Sequence, residues 1–276
     1  MGSGMKICCL GDLHYGGCRE WLVNLVENMI KGCCEEADVA VIVGDITSTG
    51  DLRCVKESLK VIREALDPVP VLVVPGNHDV YVSLDEFSRG IDSLLKLSVF
   101  NDLVEELGCI ALMRGPFVLG DVGFVGSVGW YDYSFAPDYL GLTPEDFRAK
   151  AFGLSVWADR DYVKLPVSDE EFTLMLLRKF EEQIKEVYDS VDKIVVVLHH
   201  LPFRKLVKYR LRPEWDYFSA FMGSENFGYV IRKYSSKVKL VLFGHQHNGV
   251  EAKVCKEFGD VRCCNCASPI PIIIEV

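Results

Sequence analysis

The sequence of 276 residues predicts an α/β fold in which parallel strands alternate with helices. The first observation is that short apolar, β-branched runs alternate with segments of helical periodicity over the first 107 residues. The second is that these runs end abruptly in polar turns, as in the VLVVPGNHD segment at 71–79. The third is that all six histidines follow such runs. Ligands of open α/β sheets bind at the carboxyl ends of the strands, so one site is expected there.

The pattern of the first 107 residues predicts three units, each made of a strand, a polar loop and a helix. Right-handed crossovers between parallel strands are the economical way to connect such units. The predicted strands are 7–10, 39–43 and 71–74, and the predicted helices, from their apolar stripes, are 21–36, 52–66 and 84–107.

After residue 110 the pattern changes to short strands, 117–119 and 122–127, interrupted by glycines, which predicts a second, more antiparallel sheet. Thr143 followed by Pro144 predicts a helix start, and the capping box of Ser168 and Glu171 predicts a helix to about residue 188. Further strands are predicted at 194–198, 238–243, 249–254, 261–266 and 271–275.

Composition predicts one domain over 5–276, with residues 1–4 an artificial extension before a native Met5. Two cap-like insertions are expected around 130–168 and 203–223, here named the first and second insertion. A net charge of −10 argues against nucleic acid or an anionic membrane as partner. No apolar run approaches the roughly 20 residues of a membrane helix. The sequence does not predict an oligomeric state.

Eleven cysteines is a high and odd number, and some are adjacent, as in Cys8-Cys9 and Cys33-Cys34. Buried, reduced thiols in the cytoplasm are the expectation, with the intracellular disulfides of hyperthermophiles as the alternative. The pair Cys263 and Cys266 has CxxC spacing, but without a second pair or a histidine it is a weak metal or redox signal.

The strand ends supply carboxylate and amide oxygens and imidazole nitrogens, without a thiolate. This mixture suits borderline divalent ions such as Mn, Fe, Zn, Co or Ni, with Mn the first choice. The seven donors exceed the needs of one tetrahedral ion, so two ions bridged by a carboxylate are expected. The predicted ligands are Asp12, His14, Asp45, Asn77, His199 or His200, His245 and His247.

Two such ions about 3.5 to 4 Å apart lower the pKa of a bound water and hold a phosphoryl group during attack. His78, beside Asn77, is then free to contact the phosphoryl oxygen or to protonate the leaving alkoxide. Asp79 is predicted to hold the His78 ring in the useful tautomer, or else to cap the following segment.

Five motifs in this order resemble those of the calcineurin-like metallophosphoesterase superfamily. They are Asp12-Leu13-His14, Gly44-Asp45, Gly76-Asn77-His78-Asp79, His199-His200-x-Pro202 and Gly244-His245-Gln246-His247. The resemblance implies a four-layer α/β/β/α sandwich of two mixed sheets flanked by helices. It also implies hydrolysis of a phosphate mono- or diester by a metal-bridging hydroxide. The second motif does not continue as GDxxDRG, which disfavours a protein phosphatase.

The resemblance further implies that Asp45 bridges the two ions. The first ion would bind Asp12, His14 and His247, and the second would bind Asn77, His245 and the histidine of the fourth motif. His199 is preferred there because it leaves the strand first, with His200 as the alternative ligand or as a substrate contact.

A basic cluster follows the fourth motif, made of Arg204, Lys205, Lys208, Arg210 and Arg212. It is either a solvated face or a source of phosphate contacts, for which Arg204 is the candidate. Aromatic residues are concentrated in the two insertions, where they either pack or form a stacking surface over the metals. They are Trp130, Tyr131, Tyr133, Phe135, Trp157, Trp215, Tyr217 and Phe218.

The expected function is therefore metal-dependent hydrolysis of a small phosphoester. A DNA nuclease of the same superfamily is the alternative enzyme, but the acidic composition counts against it. A non-catalytic metal-binding scaffold is the alternative outside enzymes, and the five intact motifs, including His78, count against it.

Overall fold

The computed structural model describes residues 4–247 and 255–276. Its strands are β1 (Lys6–Leu10), β2 (Val39–Ile42), β3 (Val71–Val73), β4 (Ile110–Ala111), β5 (Phe117–Leu119), β6 (Val122–Ser127), β7 (Ala151–Phe152), β8 (Ser155–Val156), β9 (Lys193–Leu198), β10 (Val238–Phe243), β11 (Cys255–Phe258), β12 (Val261–Asn265) and β13 (Ile272–Glu275). The predicted strand at 249–254 lies outside the described residues.

The helices follow most of the predicted spans. They are α1 (Arg19–Leu25), a π-helical turn (Val26–Ile30) that leads into α2 (Lys31–Cys34), α3 (Leu52–Ala65), α4 (Leu84–Ser88), α5 (Ser93–Glu106), α6 (Pro144–Arg148), α7 (Asp159–Tyr162), α8 (Asp169–Tyr188), α9 (Pro213–Asp216) and α10 (Glu225–Lys233). Short 3₁₀ helices cover His78–Val80, Asp138–Leu140, Arg204–Leu206 and Tyr217–Phe221.

The first sheet has the order β13-β1-β2-β3-β4, with β1 to β4 parallel and β13 antiparallel to β1. All four residues of β2 are buried, as expected for a strand covered on both faces. The continuous helix predicted for 84–107 divides into α4 and α5, because the chain turns at Gly90 and Asp92 caps α5. The parallel N-terminal units are confirmed.

The second sheet has the order β11-β12-β10-β9-β6-β5. Its two edge pairings are antiparallel, whereas β6, β9, β10 and β12 run parallel to one another. Among the described strands, two of the five pairings in this sheet are antiparallel, against one of four in the first sheet, so the prediction of a more antiparallel second sheet is confirmed at its edges, whereas its centre is parallel. The glycine-punctuated hairpin of β5 and β6 forms only one edge, and the long connection through α8 returns the chain to β9 in the parallel direction.

The two sheets pack face to face between layers of helices. Residues that alternate along β1 belong to different layers: Ile7 and Cys9 contact residues of the second sheet, and Cys8 and Leu10 face the helices. The outer face of the second sheet packs against α8 and α10, with Phe180 at that interface. The four-layer sandwich of mixed sheets is confirmed.

Two pairs of cysteines lie at bonding distance, Cys8 with Cys34 and Cys255 with Cys264. This corrects the expectation that all thiols are reduced. The spacing of cysteines along the chain could not show it, because the partners meet through tertiary packing and through the register of β11 with β12. None of the described helices combines the length and the hydropathy needed to cross a bilayer.

Candidate metal centre

Loops from both sheets meet at one edge of the sandwich. Parallel strands β1, β2 and β3 of the first sheet and β9 and β10 of the second deliver their carboxyl ends to the same place. Here these loops are called the sheet-edge loops. Each carries one of the five sequence motifs.

The backbone of these loops is strained at four of the predicted site residues. Left-handed φ angles are rare outside glycine, and each costs on the order of 1–3 kcal/mol and persists only where the surrounding structure enforces it. The residues are Asp12 (50°), His14 (46°), Asp45 (50°) and His245 (66°). Gly76 is required beside them, because a Cβ at that position would lie 2.0 Å from Asp45 Oδ1.

The first group of donors contains Asp12, His14 and His247. His247 Nε2 lies 3.1 Å from Asp12 Oδ1 and 3.2 Å from His14 Nε2. His14 Nε2 is 3.6 Å from Asp45 Oδ2. The side chains of Asp12, His14 and His247 therefore converge, and the buried carboxylate of Asp45 lies beside them.

The second group contains Asn77, His199 and His245. His199 Nε2 lies 3.1 Å from Asn77 Oδ1 and 3.1 Å from His245 Nδ1. The same nitrogen is 3.5 Å from Asp45 Oδ2. Asp45 Oδ2 thus faces both groups, as a bridging carboxylate does.

The donor chemistry of the second group fits a cation. His199 Nδ1 donates its proton to the backbone oxygen of Val43 at 2.8 Å, so Nε2 carries a lone pair. That lone pair faces the amide oxygen of Asn77, which is also an acceptor. Two acceptors at this distance repel each other unless a positive charge lies between them. Oxygen and imidazole donors without thiolate suit borderline divalent ions.

Burial and crowding keep most of these histidines neutral, which is the form that binds metals. Burial, with the neighbouring histidines, lowers the pKa of His14 to about 4 and lowers the pKa of His199 and of His245 well below the ordinary value. Burial raises the pKa of Asp45, and the negative charges of Asp12 and Asp79 raise it further. A carboxylate in such a place is stabilised when cations share it.

His199 lies in the donor cluster and His200 does not, since consecutive residues at a strand end point to opposite sides. His200 Nδ1 donates to Val128 O at 2.9 Å, and its ring lies 4.3 Å from that of His245. The side chain is 1% exposed. The predicted substrate contact by His200 is therefore corrected: the ring is shielded behind a site histidine.

His78 stands at the open side of the cluster, with Nε2 4.0 Å from Asp45 Oδ2. Its Nδ1 donates to the backbone oxygen of Ser48 at 2.8 Å. Asp79 does not orient this ring, which corrects the sequence prediction. Its buried carboxylate instead accepts from the backbone of Ile46, Thr47 and Gly76 and so ties two sheet-edge loops together.

Arg204 does not lie in the cleft beside the site, contrary to the sequence prediction. Its guanidinium donates to the backbone oxygen of Ala136 at 2.7 Å and packs over Tyr209. It thus joins the two insertions. Two other members of the basic cluster, Lys208 and Arg210, line the cleft.

The cleft has a volume of about 560 Å³ and reaches His245 and His247. Three of the aromatic residues singled out from the sequence line it, Trp157, Trp215 and Phe218. The other five are buried in the core: Trp130, Tyr131, Tyr133, Phe135 and Tyr217. The two insertions thus build both a packed base and an aromatic wall.

Sequence reasoning missed Asp159, which is fully buried in the first insertion. Its carboxylate accepts hydrogen bonds of 2.8 Å from Asn77 Nδ2, Tyr81 OH and Tyr131 OH. No local signal marks it, because it is one acidic residue in the polar segment Asp159–Tyr162. Its importance becomes visible only when the insertion is folded onto the site.

The calcineurin-like phosphoesterase family model matches residues 5–249, and the chain belongs to this family. The family is described as one of phosphoesterases, and the described residues of this chain include groups that could hold a metal ion. No curated protein matches it in sequence.

Solved structures that share the fold include the following two. One is a protein described as a 5'-nucleotidase from Staphylococcus aureus in complex with alpha-ketoglutarate, at 12% identity and a TM-score of 0.51 over 98% of this chain. This chain spans about half, 51%, of the length of that protein. The other is GAP50, described as the anchor in the inner membrane complex of Plasmodium, at 12% identity and a TM-score of 0.51, covering 97% of this chain and 73% of that one.

Proposed function

We propose that the protein hydrolyses a small phosphate mono- or diester at a centre of two divalent ions bridged by Asp45. The observation that supports this most directly is the sharing of Asp45 Oδ2 by two separate donor groups. Asp12, His14 and His247 hold the first ion in this proposal. Asn77, His199 and His245 hold the second.

Two divalent ions, when bound, supply an activated water and neutralise the charge of the phosphoryl group. Each residue of the chain has a separate task. Asp45 would contribute its carboxylate to both groups of donors, and His199 is fixed in its tautomer by Val43 O. His78 projects beside Asp45 with its Nδ1 anchored on Ser48 O, so Nε2 is directed toward the substrate. It contacts a phosphoryl oxygen or protonates the leaving oxygen.

The experiment begins with metal-free protein loaded separately with Mn, Fe, Zn, Co or Ni. Turnover of p-nitrophenyl phosphate, bis-p-nitrophenyl phosphate and plasmid DNA is measured for each, with Asp45→Asn as the control. Turnover of a small ester with at least one ion, lost in the control, is the expected result. Mn is expected to be the best activator.

Two other outcomes would contradict the proposal. Cleavage of plasmid DNA without turnover of the small esters would indicate the nuclease. Metal binding without any turnover above the Asp45→Asn control would indicate the scaffold.

A further inference from the structure

The cleft beside the candidate metal centre has an unusual wall. Trp157 stacks on Phe221, with ring centroids 5.5 Å apart and planes at 21°, and lies close to Phe218 at 6.1 Å. The edge contact between Trp157 and His245 has centroids 5.8 Å apart at 77°. The aromatic wall therefore begins directly at a proposed metal ligand.

Trp215 is another aromatic residue that lines the cleft. Its indole Nε1 donates to Lys208 O at 3.2 Å, and the Arg210 guanidinium lies 3.5 Å from the ring centroid. The side chain is nevertheless 46% exposed. Part of the indole thus remains exposed in the cleft, and the guanidinium of Arg210 lies over the ring.

The second insertion holds this arrangement rigidly. The buried carboxylate of Asp216 accepts from the backbone of Arg210 and Leu211 at 2.8 Å each. Tyr139 OH, from the first insertion, donates to the same carboxylate at 2.8 Å. A wall that is ordered before binding loses little conformational entropy when a ligand arrives.

We propose that this cleft binds a flat aromatic leaving group, so that the substrate is a phosphate ester of an aromatic or heteroaromatic moiety. The inference rests on the proposed function, which places the phosphoryl group at the metal centre. Planar rings on rigid indole surfaces gain from stacking beyond simple burial of area. A volume of about 560 Å³ is large enough for a fused ring system. Lys208 and Arg210 attract the charged ester to the same opening.

The test compares three esters that share a primary alkoxide leaving group and therefore similar intrinsic reactivity. They are 2-naphthylmethyl, cyclohexylmethyl and n-butyl phosphate. We expect kcat/KM for the naphthylmethyl ester to exceed that for the cyclohexylmethyl ester by roughly tenfold, since stacking separates them. The n-butyl ester should be the poorest.

Variants locate the effect. Trp215→Leu and Trp157→Leu should each bring the ratio of kcat/KM between the naphthylmethyl and cyclohexylmethyl esters close to one, whereas the control below should keep that ratio. Tyr229→Leu replaces an aromatic residue that is 61% exposed on α10, and it is the matched control. Trp215 is the safer site, because Trp157 is half-buried and packed.

A binding measurement separates this inference from the proposed function. 2-Naphthylmethyl phosphonate, which is not hydrolysed, should bind the metal-loaded protein more tightly than n-butyl phosphonate, by titration calorimetry. Tighter binding of the naphthylmethyl phosphonate, without turnover of any ester, would contradict the proposed function but would support binding of an aromatic group in the cleft. Equal affinities, or equal kcat/KM for the naphthylmethyl and cyclohexylmethyl esters, would overturn the inference.

An independent observation assigns a role to Asp159. A carboxylate only accepts, so the 2.8 Å contact fixes the NH₂ of Asn77 toward Asp159 and turns Oδ1 toward His199. Tyr81 donates to the same carboxylate oxygen, and its ring centroid lies 4.4 Å from that of His78. We infer that Asp159 is a positioning residue through which the first insertion orients a ligand of the second proposed ion.

The test is the affinity of metal-free protein for Mn²⁺ by titration calorimetry. Asp159→Asn should weaken binding roughly 10- to 100-fold, as loss of such supporting hydrogen bonds typically does. Asp161→Asn, an exposed change on the same helix, should have no effect. The Asn77→Asp/Asp159→Asn double variant reverses donor and acceptor and should recover part of the affinity, which a purely structural role would not predict. Unchanged affinity in Asp159→Asn, or no recovery in the double variant, would overturn the inference.

Discussion

The sheet-edge loops and the two insertions contribute to the same cleft in different ways. The loops supply the donor cluster around Asp45, with strained backbone and mostly buried side chains, among which His14 is half-buried and His247 is exposed. The insertions supply the aromatic wall, the cations and the buried Asp159. In the proposed function, the first region carries the hydrolytic chemistry, whereas the second faces the leaving group of the substrate. Changes in the loops should therefore affect kcat for every substrate, and changes in the insertions should discriminate between substrates.

The largest expected effect is that of His78→Ala. Loss of a group that stabilises or protonates in the transition state should lower kcat by about 10² to 10⁴-fold. If His78 protonates the leaving oxygen, the loss will be greater for alkyl esters than for p-nitrophenyl phosphate, whose leaving group needs no proton. Parallel kinetics on the two ester types measure this. A loss below tenfold on both would remove His78 from the proposed catalytic machinery.

His200 should affect acid stability instead of catalysis. Burial lowers its pKa from 6.5 to about 4, so the unfolded chain binds the proton more readily. The contribution of neutral His200 to the free energy of unfolding is therefore fully present above pH 6.5. As the pH falls toward 4, the free energy of unfolding decreases by about 3 kcal/mol. In metal-free His200→Gln the difference in unfolding free energy between pH 7 and pH 4 should shrink by about that amount.

Urea titrations across this pH range measure the effect. The matched control is Gln183→Leu, which removes a buried polar side chain without a titratable group. An unchanged pH dependence in His200→Gln would contradict the assignment, as would a selective rise of KM.

The smallest effects should come from the basic cluster. Arg210→Ala should raise KM roughly tenfold, because a charged contact to an anion is weakened, and the effect should diminish with added salt. Arg204→Ala should leave kcat/KM unchanged and lower the melting temperature, since its guanidinium tethers Ala136 of the other insertion. Kinetics at two salt concentrations, with thermal unfolding of both variants, distinguish the two. A raised KM in Arg204→Ala with unchanged kinetics in Arg210→Ala would instead identify Arg204 as the substrate contact.

The difference between the sheet-edge loops and the two insertions also explains which features the sequence could predict. The capping box of Ser168 and Glu171 is a local signal, and α8 begins where it indicates. The donor residues follow buried parallel strands, and the fold must bring such strand ends together. Consecutive residues at the end of β9 point to opposite sides, so the strand register decides that His199 faces the donor cluster and His200 faces Val128.

The remaining features depend on tertiary contacts that no local pattern encodes. Arg204 follows the fourth motif directly, yet the 3₁₀ helix Arg204–Leu206 leads its side chain to Ala136. Asp159 looks like a surface acid until Asn77 and two tyrosines surround it. The parallel core of the second sheet likewise follows from a long connection and not from strand composition.

The most direct test is the location and number of bound ions in crystals of Mn-loaded protein. Anomalous scattering should show two ions per chain, about 3.5 to 4 Å apart, on either side of Asp45. In Asp45→Asn crystals at least one of them should be lost. A single ion, or ions remote from Asp45, would contradict the assignment of a shared carboxylate between two donor groups.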